Sequence, residues 1–426
     1  MLLARGWPVL AVFAATYALI AARRLSILPI GRPAGALAGA CAVVVLGAVR
    51  ADWGLAPGEA FAAVEPHTIG LLLGMMLLAA ALAEAGFFER AAAWVVARRL
   101  SPAGLLWATV LGAGLLSAVL VNDPVCLVLA PLVDETVRRA RLDRVPYLLG
   151  LAMGANAGSA MTLAGNPQNM LVAHLSAIPY REYLLRAGPA GLLALLVTGA
   201  VLHLLYRRRL APGVAPATEA GSAAALAAPA VTGAVDLRIA LLCIGAVSIA
   251  FLAGANLAWS ALCGAAALVL LRRRDPAALF ARVSWTLLVF FGALFVVVAA
   301  LQKTGLPDAA LRATAAFIPA GRAGGLIGLA AALLAGCQLV SNVPFILLAA
   351  PWIRSHPDPT LAWTATAVVS TLAGNLTLLG SVANIIVIER ARAEDDVRFW
   401  TYLRAGLPVT LLSTAVALAW LLLTAH

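Results

Sequence analysis

Two polar interruptions in otherwise apolar sequence constrain this chain more than any other feature, because each is a copy of the other. The first reads Leu120-Val121-Asn122-Asp123-Pro124 and is followed by seven residues ending in Pro131. The second reads Val340-Ser341-Asn342-Val343-Pro344, again followed by seven residues ending in Pro351, so Asn122, Pro124 and Pro131 recur 220 residues later. Each leads to a further break, Thr162-Leu163-Ala164-Gly165-Asn166-Pro167-Gln168-Asn169 in one half and Thr377-Leu378-Leu379-Gly380-Ser381-Val382-Ala383-Asn384 in the other. There Thr, Gly and Asn repeat at an offset of 215. Four paired breaks of this kind demand two like halves whose interruptions meet at a shared interface.

Composition settles the solvent. The chain has 426 residues, 63% hydrophobic and 12% charged, against roughly a quarter charged in soluble domains. It is an all-α polytopic membrane protein. The first apolar stretch, 7–22, lacks a basic leader and runs into Arg23-Arg24, so it reads as a span that stays. The formal charge of +11 would suggest nucleic acid in a soluble protein. Here the basic residues sit in short clusters between apolar segments, so the partner is the lipid bilayer and no nucleic acid is expected. Cys41, Cys126, Cys243, Cys263 and Cys337 are scattered and indicate neither disulfides nor a metal site.

Spanning helices are predicted over 7–22, 33–49, 68–86, 147–172, 184–206, 237–254, 257–271, 283–303, 360–388 and 403–424. Two stretches, 103–137 and 323–353, are too long for one span and carry a polar tip, so each is a re-entrant hairpin. With residues 23–32 placed in the cytoplasm, this map puts 22 of the 30 Lys and Arg inside and leaves 8 outside. The N-terminus then lies outside the inner (plasma) membrane, and the two hairpins open to opposite sides. That is an inverted-topology repeat. Residues 1–206 and 236–426 form the halves, and the Ala/Gly/Pro-rich stretch 207–235 is a cytoplasmic linker. Residues 87–102 suit an interfacial helix. Glu84 and Glu89 read as solvated span ends, and Asp134 and Glu135, close to Arg138-Arg139, as surface pairs.

The breaks carry the chemistry. Pro124 and Pro344 fit the first position of a helix, where the missing N–H costs nothing, with Asn122 or Asp123 and Asn342 or Ser341 as N-caps. Asn166-Pro167 repeats that pattern, and Ser381 suits the fourth start. Half-helices beginning in mid-membrane present unpaired N–H groups and positive dipole ends, which together make an anion site without any arginine. Asn156, Gly158, Ser159, Gly374 and Asn375 are candidates to line the same cavity. Asp123 is the only acid in the four breaks. An ionisable group at that depth costs at least ~2.5 kcal/mol, which marks it for proton or Na⁺ coupling together with Asn122 and Asn342.

These motifs resemble the ion-transporter superfamily, which groups arsenite permeases (ArsB), NhaD-type sodium/proton antiporters and divalent-anion/sodium symporters. The likeness rests on Gly86-Phe87-Phe88-Glu89 and on the four breaks, with the Gly-Asn-Pro-Gln-Asn run similar to bacterial anion permeases. It implies a homodimer of scaffold and transport domains with elevator-like motion. It also implies a substrate and cation site at Asn122, Asp123, Ser341, Asn342, Thr162, Gly165, Asn169, Thr377, Gly380 and Asn384. The tips depart from the Ser-Asn-Thr of the dicarboxylate symporters, and Asp123 tilts coupling toward protons.

The expectation is therefore a secondary transporter of a small anion or oxyanion (a carboxylate, an inorganic anion or an arsenite-like oxyacid) with H⁺ or Na⁺ as coupling ion and no other cofactor. A Na⁺/H⁺ antiporter is the alternative. No intramembrane Ser/His, His-Glu-x-x-His or paired-Asp constellation points to an enzyme.

Overall fold

Prolines mark where helices begin. Many helices in this protein carry Pro in their first turn, where its missing N–H leaves no hydrogen bond unmade. The computed structural model describes residues 2–21, 31–210, 234–315 and 321–424. The expected linker lies almost wholly outside them.

Among the described residues, ten α-helices precede the linker. They are α1 (Leu2–Ala21), α2 (Arg32–Val49), α3 (Pro57–Ala63), α4 (Pro66–Glu84), α5 (Phe87–Ala97), α6 (Pro102–Val119), α7 (Asn122–Arg139), α8 (Arg144–Ser159), α9 (Pro167–Ser176) and α10 (Tyr180–Tyr206). Ten follow it in the same order: α11 (Ala234–Leu252), α12 (Leu257–Arg272), α13 (Ala277–Ala281), α14 (Trp285–Lys303), α15 (Leu306–Ala315), α16 (Gly321–Val340), α17 (Asn342–Arg354), α18 (Pro359–Ala373), α19 (Val382–Arg390) and α20 (Phe399–Thr424).

Packing repeats with the same period of ten elements. Helix α6 lies on α8 as α16 lies on α18, and α2 packs on α14 as α12 packs on α4. The half-helices exchange partners: α7 packs against α19 while α17 packs against α9. Neither half therefore buries its own interrupted helix alone. In both hairpins the first helix begins beside the start of the helix that follows the hairpin, as a re-entrant arrangement requires. Tyr147 Oη donates to Pro102 O at 3.0 Å, bringing α6 and α8 together, and Arg322 pairs with Asp358 at 2.7 Å, bringing α16 and α18 together.

Among the described residues, seven helices are long and apolar enough to cross a membrane, and α4 and α14 are the most enclosed of them, with 67% of each span buried. They sit at the centre. Exposed Trp7, Val49, Leu242, Leu270 and Leu423 lie on the outer helices, the apolar surface that lipid covers. The helix expected over 87–102 forms as α5, with Arg98 over the Trp94 ring at 4.2 Å. Its counterpart α15 and the short α3 and α13 were not foreseen, because each holds too few residues to show a period. Glu84 is not a free solvated end. It pairs at 3.2 Å with Arg272, whose side chain is 6% exposed and faces Asp236, and this joins α4 to α11 and α12.

Candidate functional site

Helix α8 stops at Ser159, the chain unwinds, and α9 starts at Pro167. Unwound backbone inside a membrane leaves carbonyls that water cannot reach. One side chain answers them: Asn169 Nδ2 donates to Thr162 O at 2.8 Å and to Ser159 O at 3.3 Å. In the other half Asn384 Nδ2 donates to Thr377 O at 3.1 Å and to Gly374 O at 2.8 Å. Each donor and each acceptor stands 215 residues from its counterpart. Asn166 caps α9 as expected, its Oδ1 accepting from Asn169 N at 2.8 Å. Ser381 holds the cap position of α19 but turns its hydroxyl to Asn156 Oδ1 at 3.1 Å.

The halves meet through two equivalent residues of unlike chemistry, Asn156 on α8 and Thr371 on α18. Asn156 Nδ2 donates to Asn384 Oδ1 and to Asn375 Oδ1, both at 2.9 Å. Thr371 Oγ1 donates to Asn169 Oδ1 at 3.1 Å and accepts from Asn166 Nδ2 at 3.1 Å. Ser159, bonded to both Asn156 O and Asn166 Nδ2, joins the two sets into one buried network. Sequence reading named Asn156 only as a lining candidate and passed over Thr371. The offset of 215 between them was the signal that could have found it.

The hairpin tips dock on these breaks. Asn122 N donates to Gly165 O at 2.9 Å, and Asn122 Nδ2 donates to Asn156 Oδ1 at 3.0 Å. A Cβ on Gly165 would lie 2.3 Å from Ser159 O, so only glycine fits there. Gly380 is close to Gly374 O and to Gln338 Oε1. At the second tip Gln338 Nε2 donates to Ala373 O at 2.7 Å. Gln338 is another residue the sequence reading missed, visible only as a lone amide four residues before Asn342.

The cap assignments at the tips are corrected. Helices α7 and α17 begin at Asn122 and Asn342 themselves, Pro124 and Pro344 stand third in their helices, and neither tip has a side-chain cap. The tip asparagines do something else. Asn122 Oδ1 and Asn342 Oδ1 are both buried with no hydrogen-bond partner, and such atoms cost roughly 1–3 kcal/mol unless a ligand serves them. Asp123 is 6% exposed and makes no hydrogen bond or ion pair among the described residues. Ser341 takes φ 67 and ψ 164, a backbone region held almost entirely by glycine, which stores about 1–3 kcal/mol of strain.

The structure therefore brings together Asn122, Thr162, Gly165, Asn166, Asn169, Asn375, Thr377, Gly380, Ser381 and Asn384. Among the described residues it leaves Asp123, Ser341 and Asn342 at the tips without side-chain hydrogen-bond partners. None of the four breaks holds a Lys or Arg. Amides, hydroxyls and helix N-termini can hold a small oxygen-rich solute, and unpaired carbonyl oxygens beside a carboxylate can hold a cation.

Comparison with known proteins agrees with this architecture. A family model described as "Citrate transporter" (CitMHS) matches residues 17–373. The silicon efflux transporter LSI3 of Oryza sativa subsp. japonica is 32% identical, over 92% of this chain and 92% of its own. The putative transporter arsB of Dictyostelium discoideum is 23% identical over 90% of this chain and 86% of its own. Among solved structures the YdaH transporter of Alcanivorax borkumensis shares the fold, with a TM-score of 0.56, 15% identity, 99% of this chain and 97% of that one. The paired hairpins, the paired broken helices and the family match agree that the chain belongs to the CitMHS citrate transporter family, a family of membrane transporters and not of enzymes.

Proposed function

We propose that this protein is a secondary active transporter of a small oxygen-rich anion or oxyacid, coupled to H⁺ or Na⁺. The observation that carries the reading is the pair of tip asparagines, Asn122 and Asn342, whose Oδ1 atoms are buried and unpartnered at equivalent places. Both stand at half-helix N-termini, where positive dipole ends favour an anion. Asn122, Asp123, Ser341, Asn342, Thr162, Gly165, Asn166, Asn169, Asn375, Thr377, Gly380, Ser381 and Asn384 form the substrate site. Asp123 with Asn122 and Asn342 carries the coupling cation.

The family description names citrate, and a relative's name silicon. Their common chemistry is a compact, oxygen-rich solute, which the hydroxyls and amides of the four breaks can hold by hydrogen bonds. In this reading α1–α4 and α11–α14 form a scaffold, and the hairpins with the broken helices travel as one body, an elevator in a homodimer of the plasma membrane. The N-terminus lies outside and the linker in the cytoplasm.

Uptake into proteoliposomes of arsenite, silicic acid, phosphate, sulfate, succinate and citrate, with pH and Na⁺ gradients imposed separately, tests it. Accumulation of one of these under a single cation gradient is expected. Acidification driven by Na⁺ with no added anion would favour the second reading, a Na⁺/H⁺ antiporter, which the unpartnered carboxylate of Asp123 supports.

A further inference from the structure

A second cluster of ligand-bearing side chains lies away from the broken helices, at the opposite end of the molecule from Arg144. Glu65 precedes α4, His67 stands in its first turn, and His174 stands in the last turn of α9. No spacing motif connects them, since His67 and His174 are 107 residues apart.

The carboxylate is already fixed. His67 N donates to Glu65 Oε1 at 3.1 Å and Thr68 N to Glu65 Oε2 at 2.6 Å. His67 Nδ1 lies 2.9 Å from Glu65 Oε1, and His174 Nε2 lies 3.5 Å from the same oxygen. The two imidazoles stack with centroids 4.8 Å apart and planes 16° from parallel. One carboxylate oxygen and two ring nitrogens thus lie within 4.8 Å of one another.

We propose that Glu65, His67 and His174 form a site for a divalent transition-metal ion that pins α4 to α9. Two imidazoles and a carboxylate are a donor set for Zn²⁺ and its neighbours rather than for Mg²⁺ or Ca²⁺, which take all-oxygen shells. Bonds of about 2.0–2.1 Å in a tetrahedral shell put the donors roughly 3.3 Å apart. Two of the three separations already fit, and side-chain rotation closes the third. Both rings can turn, with His67 49% and His174 40% exposed, whereas Glu65 at 12% is held by its backbone bonds. Those bonds act as the outer shell that orients a ligand. Under the function proposed above, a metal here ties the moving half-helix α9 to the scaffold helix α4 and so holds the two in this one arrangement.

The test uses the full chain purified in detergent. Zinc chloride is titrated by calorimetry, cobalt chloride is followed in the visible range, and magnesium chloride is the control. The variants are His67→Gln and His174→Gln. Glu65 is left intact because it caps α4. The site predicts saturable one-to-one Zn²⁺ binding, a Co²⁺ band of tetrahedral intensity, and a metal-dependent rise in unfolding temperature. Each variant should weaken binding about tenfold or more while unfolding at the wild-type temperature without metal. Absence of binding to the wild type overturns the proposal, and so does binding that survives both substitutions. These readouts stand apart from transport, so the site holds or fails independently of the function proposed above.

Discussion

Thr162 and Thr377 perform one task in opposite halves of the chain, each tying a broken helix to a hairpin. Thr162 Oγ1 donates to Ala118 O at 2.7 Å, and Thr377 Oγ1 donates to Gln338 Oε1 at 2.8 Å. The threonines are 215 residues apart and their acceptors 220, the same offsets that separate the breaks and the tips. Replacing either threonine by valine keeps the volume and strands an acceptor, buried at Ala118 and half-buried at Gln338. A loss of about 1–3 kcal/mol per site is expected, read as a lower unfolding temperature of the purified protein. An unchanged midpoint in both variants would show that the tips do not depend on these bonds.

Asn156 is the costlier position. Its side chain serves Asn122, Asn375, Ser381 and Asn384 at once. Asn156→Ala should cost more than Thr371→Val, because a shared amide leaves several buried groups unpaired together. Comparing both single variants with the double variant measures the coupling across the repeat interface. Strictly additive losses would mean that the two hubs act independently.

Close approach of α6 and α8 gives a steric test. A Cβ on Gly158 would lie 2.1 Å from Gly114 O and 2.2 Å from its Cα, whereas one on Gly112 meets nothing within 4 Å. Gly158→Ala should force the helices apart and abolish folded protein in the membrane. Gly112→Ala should be tolerated, and detergent chromatography of both variants reads the difference.

Strain at the second tip is removable. Ser341→Gly relaxes the φ of 67 and is expected to stabilise the protein by up to about 1–3 kcal/mol. Under the proposed function it also loosens the substrate site, so transport should fall as stability rises. A variant that gains neither stability nor flexibility would place the strain elsewhere.

Asp358 supplies a pH dependence. Burial pushes its pKa up, but the hydrogen bond from Leu361 N and the Arg322 guanidinium at 2.7 Å outweigh that and hold the carboxyl below the usual range. A carboxyl lowered on folding stabilises the native state above its ordinary value of 3.8 and loses that effect as pH falls through the lower folded value. The contact between the starts of α16 and α18 should therefore weaken in acid. Asp358→Asn should flatten that part of the stability profile below about pH 4.

Much of this architecture was legible before any coordinates. Asn122-Asp123-Pro124 and its copy predicted hairpins 103–137 and 323–353, and the helices run over 102–139 and 321–354. Asn166-Pro167 predicted a capped half-helix start, which is what forms. At the first tip the cap lies one or two residues from the expected positions, at Val121, because cap preference is a local tendency that docking of Asn122 N on Gly165 O overrides. At the second tip Ser341 holds the cap position without a side-chain bond.

What the sequence determined by itself is that there are two halves and where each is broken. A cluster of Asn, Gly and Pro inside an apolar run is conspicuous, since the backbone it interrupts must find partners at a depth where water is absent. The tertiary structure alone decided which break meets which tip, made Asn156 and Thr371 equivalent hubs, and brought Glu65 and His67 against His174. Periodicity and capping report neighbours within a turn or two of chain. Partners hundreds of residues apart are chosen by how whole helices pack, and two side chains as unlike as Asn156 and Thr371 leave no trace of their equivalence in composition.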